Sequence, residues 1–81
     1  MGEMKLGYLE VVEAVRACLK LLGLNYVEFY LTPLRAGYRV EVYPPPSLKD
    51  LGELASCLSK RVGVAVELGE RTYGAVLIVK A

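Results

Sequence analysis

Hydrophobic and charged positions follow two different periods along this chain, and each period predicts one kind of element. From Tyr8 to Leu22 the charged residues recur every three or four positions, and the residues between them are apolar. This spacing predicts a helix with a wide buried stripe, and Gly23 predicts its left-handed end. Asn25–Thr32 instead alternates strictly between apolar and polar or aromatic residues, which is typical of a half-buried strand.

The rest of the chain repeats this succession of periods. Pro33 is expected to end the first strand, because proline cannot donate to a ladder, and Leu34–Gly37 is expected to form the turn into a second strand, Tyr38–Tyr43. Ser47 predicts the cap of a second helix that Gly63 closes. Two further strands are predicted at Val64–Leu68 and Tyr73–Lys80, joined by a turn at Gly69–Thr72.

These elements predict one α+β domain over residues 1–81, a two-layer α-β-β-α-β-β sandwich. Two helices would lie on one face of a four-stranded, mainly antiparallel sheet, which buries the apolar stripes of both. Moving the last strand to the front gives β-α-β-β-α-β, so one alternative for the strand order is a circularly permuted ferredoxin-like sheet. The other alternative resembles the type II KH group.

Composition narrows the class of protein. Of 81 residues, 54% are hydrophobic, which excludes intrinsic disorder and predicts apolar surface left for a partner. The net charge of +1 produces no overall attraction to nucleic acid or lipid, and no apolar run is long enough to span a membrane. We therefore expect a cytoplasmic protein. The near absence of amide side chains indicates adaptation to heat.

The chain lacks the residue sets that enzymes and cofactor sites use. It has no histidine, and its glycines form no phosphate-binding motif, so we expect no catalytic activity, no cofactor, no metal and no small-molecule substrate. Cys18 and Cys57 lie in different predicted helices, 39 positions apart. We interpret them as free, buried thiols, with a disulfide between the helices as the alternative.

Part of the chain resembles a known family. The segments LGLNYVEFYL and YRVEVYPPPSLKDLGELASCLSK, within Leu22–Lys60, are similar to the N-terminal domain of the ribosome maturation factor RimP family. The matching features are a helix ending near a glycine, an alternating acidic strand, a second strand and a Ser-capped helix carrying a cysteine. The resemblance implies a module that binds RNA or associates with the ribosome. The segment that follows the family's last strand, and its second domain, have no counterpart here.

The sheet face without helices is the candidate functional surface. It is expected to carry tyrosines among charged residues, joined by one of the two apolar sets of the last strand, either Ala75, Leu77 and Val79 or Val76 and Ile78. Such a face is typical of an interface, so we predict a homodimer joined through the fourth strand and this face. The candidate interface residues are Tyr26, Tyr30, Tyr43, Tyr73, Leu77 and Val79. RNA binding is the alternative, with Arg39, Lys60 and Arg61 as candidate contacts.

Overall fold

The elements follow the predicted order α-β-β-α-β-β. The computed structural model describes residues 6–69 and 75–80. Its elements are α1 (Tyr8–Leu21), β1 (Glu28–Leu34), β2 (Gly37–Tyr43), α2 (Leu48–Val62), β3 (Val66–Leu68) and β4 (Ala75–Lys80). The predicted α+β class is confirmed. Residues 70–72 of the predicted second turn, and Tyr73, lie outside the described residues.

The four strands form one antiparallel sheet in the order β1-β2-β4-β3. Because β2 and β3 are each antiparallel to β4, they are parallel to one another and lie on either side of it, joined through α2. This is a split β-α-β unit. Placing β4 before α1 would make a second such unit around β2. The sheet therefore has the strand order that the circularly permuted ferredoxin-like alternative predicts.

Both helices end where the sequence predicts. At the end of α1, Gly23 has φ 72° and donates to the carbonyl of Lys20 at 3.2 Å, while Leu24 donates to Leu19 at 2.8 Å. This bond pair defines a Schellman motif. At the start of α2, the Asp50 amide donates to the Ser47 side-chain oxygen at 3.1 Å. Gly63 ends that helix in the left-handed conformation.

The core lies between the two helices and a single face of the sheet. Its largest fully buried side chains come from both layers: Val11, Val15, Cys18, Leu54 and Leu58 from the helices, and Val40, Val42, Leu77 and Val79 from the strands. Val40 pairs directly with Leu77, and Val42 and Val79 lie two positions further along the same strands. These four side chains therefore point to the same side of the sheet, and no helix of the described residues lies on the opposite side. No helix among residues 6–69 and 75–80 has the length and apolarity to cross a membrane.

The interpretation of the cysteines as free thiols is wrong. Cys18 of α1 and Cys57 of α2 form a disulfide, with their Cα atoms 5.9 Å apart. This separation lies within the range that a disulfide bridges, because the helices pack directly on one another. The helix pattern placed both residues on apolar faces, but only the pairing of the helices brought the two sulfur atoms together.

The first hairpin differs from the prediction at its tip. Pro33 does not end β1, which continues to Leu34, and only Arg35 and Ala36 form the turn. Proline is tolerated here because β1 is an edge strand, in which every second N–H has no partner strand. The strand also begins at Glu28 rather than Asn25. Similarly, β3 begins at Val66 rather than Val64.

Candidate interaction surface

The helix-free side of the sheet is a surface built from three aligned strands and the short strand β3. Side chains alternate between the two sides of the sheet along each strand, and residues paired across strands point to the same side. The members of this surface are therefore the strand residues that alternate with the core-facing ones. We call this surface the open face. It consists of Glu28, Tyr30, Thr32, Leu34, Arg39, Glu41, Tyr43, Glu67, Val76, Ile78 and Lys80.

The register decides which apolar set of β4 belongs to the open face. Leu77 and Val79 pair with Val40 and Tyr38 and are fully buried against the helices. Their assignment to an exposed interface is therefore wrong. The outward set is Val76 and Ile78; both sets of β4 are apolar apart from Lys80 at its last position, and the register with β2 selects between them.

The outward residues of β4 are themselves partly covered within the chain. Val76 is only 5% exposed, although it does not belong to the core cluster between sheet and helices. Gly69 donates to the carbonyl of Val76 at 2.8 Å, and a Cβ built on Gly69 would lie 2.9 Å from a methyl carbon of Val76. The bare backbone of Gly69 thus packs against the apolar centre of the open face.

Four of the five charged residues of the open face form two ion pairs. Arg39 lies 2.9 Å from the carboxylate of Glu41. Lys80 lies 3.4 Å from that of Glu67. Both pairs are well exposed, so each contributes about 0–1 kcal/mol to stability. The pairs also lower the net charge of the surface, because each cation has an anion beside it.

Tyr30 and Glu28 form a third polar pair on the outer strand β1. The phenol of Tyr30 donates a hydrogen bond to the Glu28 carboxylate at 3.1 Å. This bond stabilises the neutral phenol, and the nearby negative charge disfavours the phenolate, so the pKa of Tyr30 is raised above its ordinary value. Tyr30 is therefore uncharged at neutral pH and presents an aromatic ring with a polar tip.

The predicted interface tyrosines do not all lie on the open face. Tyr30 and Tyr43 lie on adjacent strands of the open face and are 57% and 56% exposed. Tyr26 is also exposed but precedes β1, and so it belongs to no strand of the sheet. The aromatic side of the open face is thus its β1–β2 side.

The candidate RNA contacts are divided between the two layers. Arg39 lies on the open face, whereas Lys60 and Arg61 lie in the last turn of α2, in the helix layer. Arg61 lines a surface cleft of about 630 Å³ together with Glu10 and Glu13 of α1. The end of α2 therefore lies beside the start of α1, so the helices are antiparallel. This orientation separates Lys60 and Arg61 from the cations at the end of α1, Arg16 and Lys20.

The arrangement offers contacts for binding. The exposed aromatic rings, Leu34, the partly exposed Ile78 and the charged side chains supply apolar contact and hydrogen bonding. Within residues 6–69 and 75–80, no group of three or more His, Cys, Asp or Glu side chains is arranged to hold a metal ion.

The sequence analysis did not identify Lys80 as part of this surface or Gly69 as a residue that packs against it. Lys80 ends β4 on the outward side, and its partner Glu67 lies on the neighbouring strand. The alternation of β4 carried the signal for Lys80, since it shares parity with Val76 and Ile78. Gly69 carried no comparable signal, because its contact with Val76 depends on the pairing of β3 with β4.

The chain matches no protein-family model and no curated protein.

Proposed function

We propose that this chain is a non-catalytic interaction module that associates with a second copy of itself through the aromatic side of its open face. The observation that carries the proposal is the combination of exposed aromatic rings and internally paired charges on that face. Tyr30 and Tyr43 are each more than half exposed. Interface centres are enriched in tyrosine and depleted in unpaired charge.

The position of these tyrosines supports the proposal. Tyr30 on β1 pairs with Glu41 on β2, and Tyr43 on β2 pairs with Glu28 on β1, so the two rings are diagonal neighbours. The charge of Glu41 is matched by Arg39. Burying this surface would take out of water one carboxylate that has no cationic partner among the described residues, that of Glu28, and the hydrogen bond from Tyr30 offsets part of this cost. A tyrosine also loses little conformational entropy when it is ordered, because it has only two rotatable side-chain bonds.

Charge on the open face favours a protein partner over RNA. The face carries three carboxylates, Glu28, Glu41 and Glu67, against the two cations Arg39 and Lys80. A surface that binds a phosphate backbone is expected to be visibly basic. Lys60 and Arg61, the other candidate RNA contacts, lie in the last turn of α2, in the helix layer, whereas Tyr30 and Tyr43 lie on the opposite side of the sheet.

The test measures mass in solution. Size-exclusion chromatography with light scattering should show the unmodified protein shifting from monomer to dimer as its concentration rises through the micromolar range. The double variant Tyr30→Lys/Tyr43→Lys should remain monomeric, because it places cations in the contact. Leu21→Lys is the matched control, since Leu21 is an exposed apolar residue of α1 away from the open face.

Two results would count against the proposal. A monomer at high micromolar concentration would remove self-association altogether. A dimer that survives the double tyrosine variant, but not the Leu21 variant, would move the contact to the helix layer. Retention of RNA on a filter at low salt by the monomeric form would instead favour the RNA-binding alternative.

A further inference from the structure

The two outer strands of the sheet differ in what they offer a partner. In the order β1-β2-β4-β3, the edges are β1, with seven residues, and β3, with three. An edge strand presents backbone N–H and C=O groups that pair with another chain when length and side chains allow. The short β3 offers little, so β1 is the edge to consider.

Hydrogen bonds at the opposite edge of the sheet establish which backbone groups of β1 point outward. Gly69 donates to Val76 and Lys80 donates to Ala65, so Val76, Ile78 and Lys80 are the residues of β4 that bond to β3. Since backbone groups alternate in direction, the other residues of β4 bond to β2.

The same alternation continues through β2 to β1. Val40 and Val42 are directed to β4, and Arg39 and Glu41 to β1, where their partners are Thr32 and Tyr30. The backbone groups of Phe29, Leu31 and Pro33 consequently point away from the sheet. No residue of the described part of the chain bonds to the outward groups of Phe29 or Leu31.

Pro33 lies in the outward row, which has a direct consequence for pairing. Its nitrogen carries no hydrogen, so the β1 edge offers no donor at that position. Proline at an edge blocks unlimited strand addition. The complete donor and acceptor pairs that remain within β1 are those of Phe29 and Leu31.

Side chains around these two positions are apolar on both faces of the strand. Phe29 and Leu31 are half-buried at the margin of the core, and Tyr30 between them is exposed on the open face. The charged residue of β1 is Glu28, at its first position. The middle of the edge therefore lacks the charges that natural edge strands use to prevent pairing.

We propose that two copies of this chain join by antiparallel pairing of their β1 edges, with the two-fold axis passing between the two Tyr30 residues. This inference rests on the proposed self-association and names the element that forms it. In this register, Phe29 of each copy is paired with Leu31 of the other. Each of these pairs exchanges both N–H···O bonds, because all four residues keep their donors.

Neighbouring registers are less favourable. Centring the axis on Leu31 would place Pro33 opposite Phe29, and the proline could not return the hydrogen bond. Centring it on Phe29 would pair Leu31 with Val27, which lies before the start of β1. The Tyr30-centred register is thus the one that uses the intact part of the edge.

The proposed pairing satisfies the side chains as well as the backbone. Residues directly opposite at a non-hydrogen-bonded position approach most closely, so the two Tyr30 rings meet on the joined open faces. On the other side, Phe29 lies beside Leu31 of the second copy and covers its exposed part. Each copy contributes its β1 edge once, so the assembly closes as a dimer.

The experiment uses charges at position 30, which faces itself only in this register. Tyr30→Lys and Tyr30→Glu should each raise the dimer dissociation constant about tenfold or more, because like charges oppose each other at the axis. An equimolar mixture of the two variants should form heterodimers as tight as the unmodified dimer, measured by light scattering and by native mass spectrometry. Leu21→Lys is the control, since Leu21 is an exposed apolar residue of α1 that belongs neither to β1 nor to the open face.

A second pair of variants tests the backbone directly. Leu31→Pro removes the outward N–H and should abolish the dimer, whereas Leu31→Ala removes the side chain, keeps the donor and should retain at least part of the association. Circular dichroism confirms that each variant is folded. If the protein dimerises but a dimer survives Leu31→Pro, or if the charge mixture fails to pair, the edge is not the contact, although self-association stands. If the unmodified protein is monomeric, both proposals fail.

Discussion

At the scale of single residues, two glycines differ in whether the fold requires the absence of a side chain. Gly52 lies in the exposed interior of α2, and a Cβ built there meets nothing within 4 Å. A Cβ on Gly69 would instead lie 2.9 Å from Val76 and 3.1 Å from Ile78. Only at Gly69 does the fold need the space that glycine leaves.

Substitution of these glycines by alanine should therefore have opposite effects on stability. Gly52→Ala should raise the free energy of unfolding by about 0.5–1 kcal/mol, because alanine costs less entropy in a helix. Gly69→Ala should lower it by about 1–3 kcal/mol, since the new methyl group overpacks the centre of the open face. Urea denaturation followed by circular dichroism measures both. A stabilising Gly69→Ala would show that Val76 and Ile78 do not pack on that backbone.

At the scale of elements, α2 is the segment that local sequence specifies most completely. Its cap residue Ser47 accepts from the Asp50 amide, Lys60 and Arg61 occupy the last turn, and Gly63 ends the helix. Each of these features acts within a few residues of the chain, so each was readable from the sequence.

The cap at Ser47 can be tested against another serine of the same helix. Ser47→Ala should lower the free energy of unfolding by about 1 kcal/mol, because the Asp50 amide loses its partner. Ser56→Ala, at an exposed position in the middle of α2, should change it by less than about 0.5 kcal/mol. Chemical denaturation gives both values. Equal effects of the two substitutions would mean that the cap does not contribute to stability.

The strands show where local rules lose their force. Period-two alternation predicted that the strands exist, yet Pro33 was expected to end β1 and instead lies within it. The rule that proline breaks a strand assumes a neighbour on both sides. Whether β1 has one neighbour or two is a property of the whole sheet.

At the scale of the whole molecule, the disulfide between Cys18 and Cys57 joins the two helices of the helix layer. It links residues 39 positions apart in the sequence and so restricts the unfolded chain across about half of its length. Cys18 is fully buried and Cys57 is partly buried, so the bond lies at the margin of the core. A small domain with limited core area benefits strongly from such a link.

Loss of this bond should have a large effect on stability. The double variant Cys18→Ala/Cys57→Ala should lower the free energy of unfolding by about 2–4 kcal/mol, on the basis of the length of the loop that the bond closes. Thermal and urea unfolding, each with and without reductant, measure the effect. Reductant should destabilise the unmodified protein and leave the double variant unchanged. An unmodified protein that is insensitive to reductant, while free thiols are confirmed by labelling, would contradict the prediction.

The sequence alone determined the number, order and kind of the elements, because helix and strand periods and helix caps depend on near neighbours in the chain. It also located the tyrosines of the open face through the alternation of β1 and β2. Only the tertiary structure decided the outward set of β4, since both Leu77 and Ile78 belong to apolar sets and the register with β2 selects between them. It likewise paired Cys18 with Cys57 and placed Pro33 on an edge. These three outcomes depend on which segments are neighbours in space, and contacts between distant segments are not encoded in any local pattern.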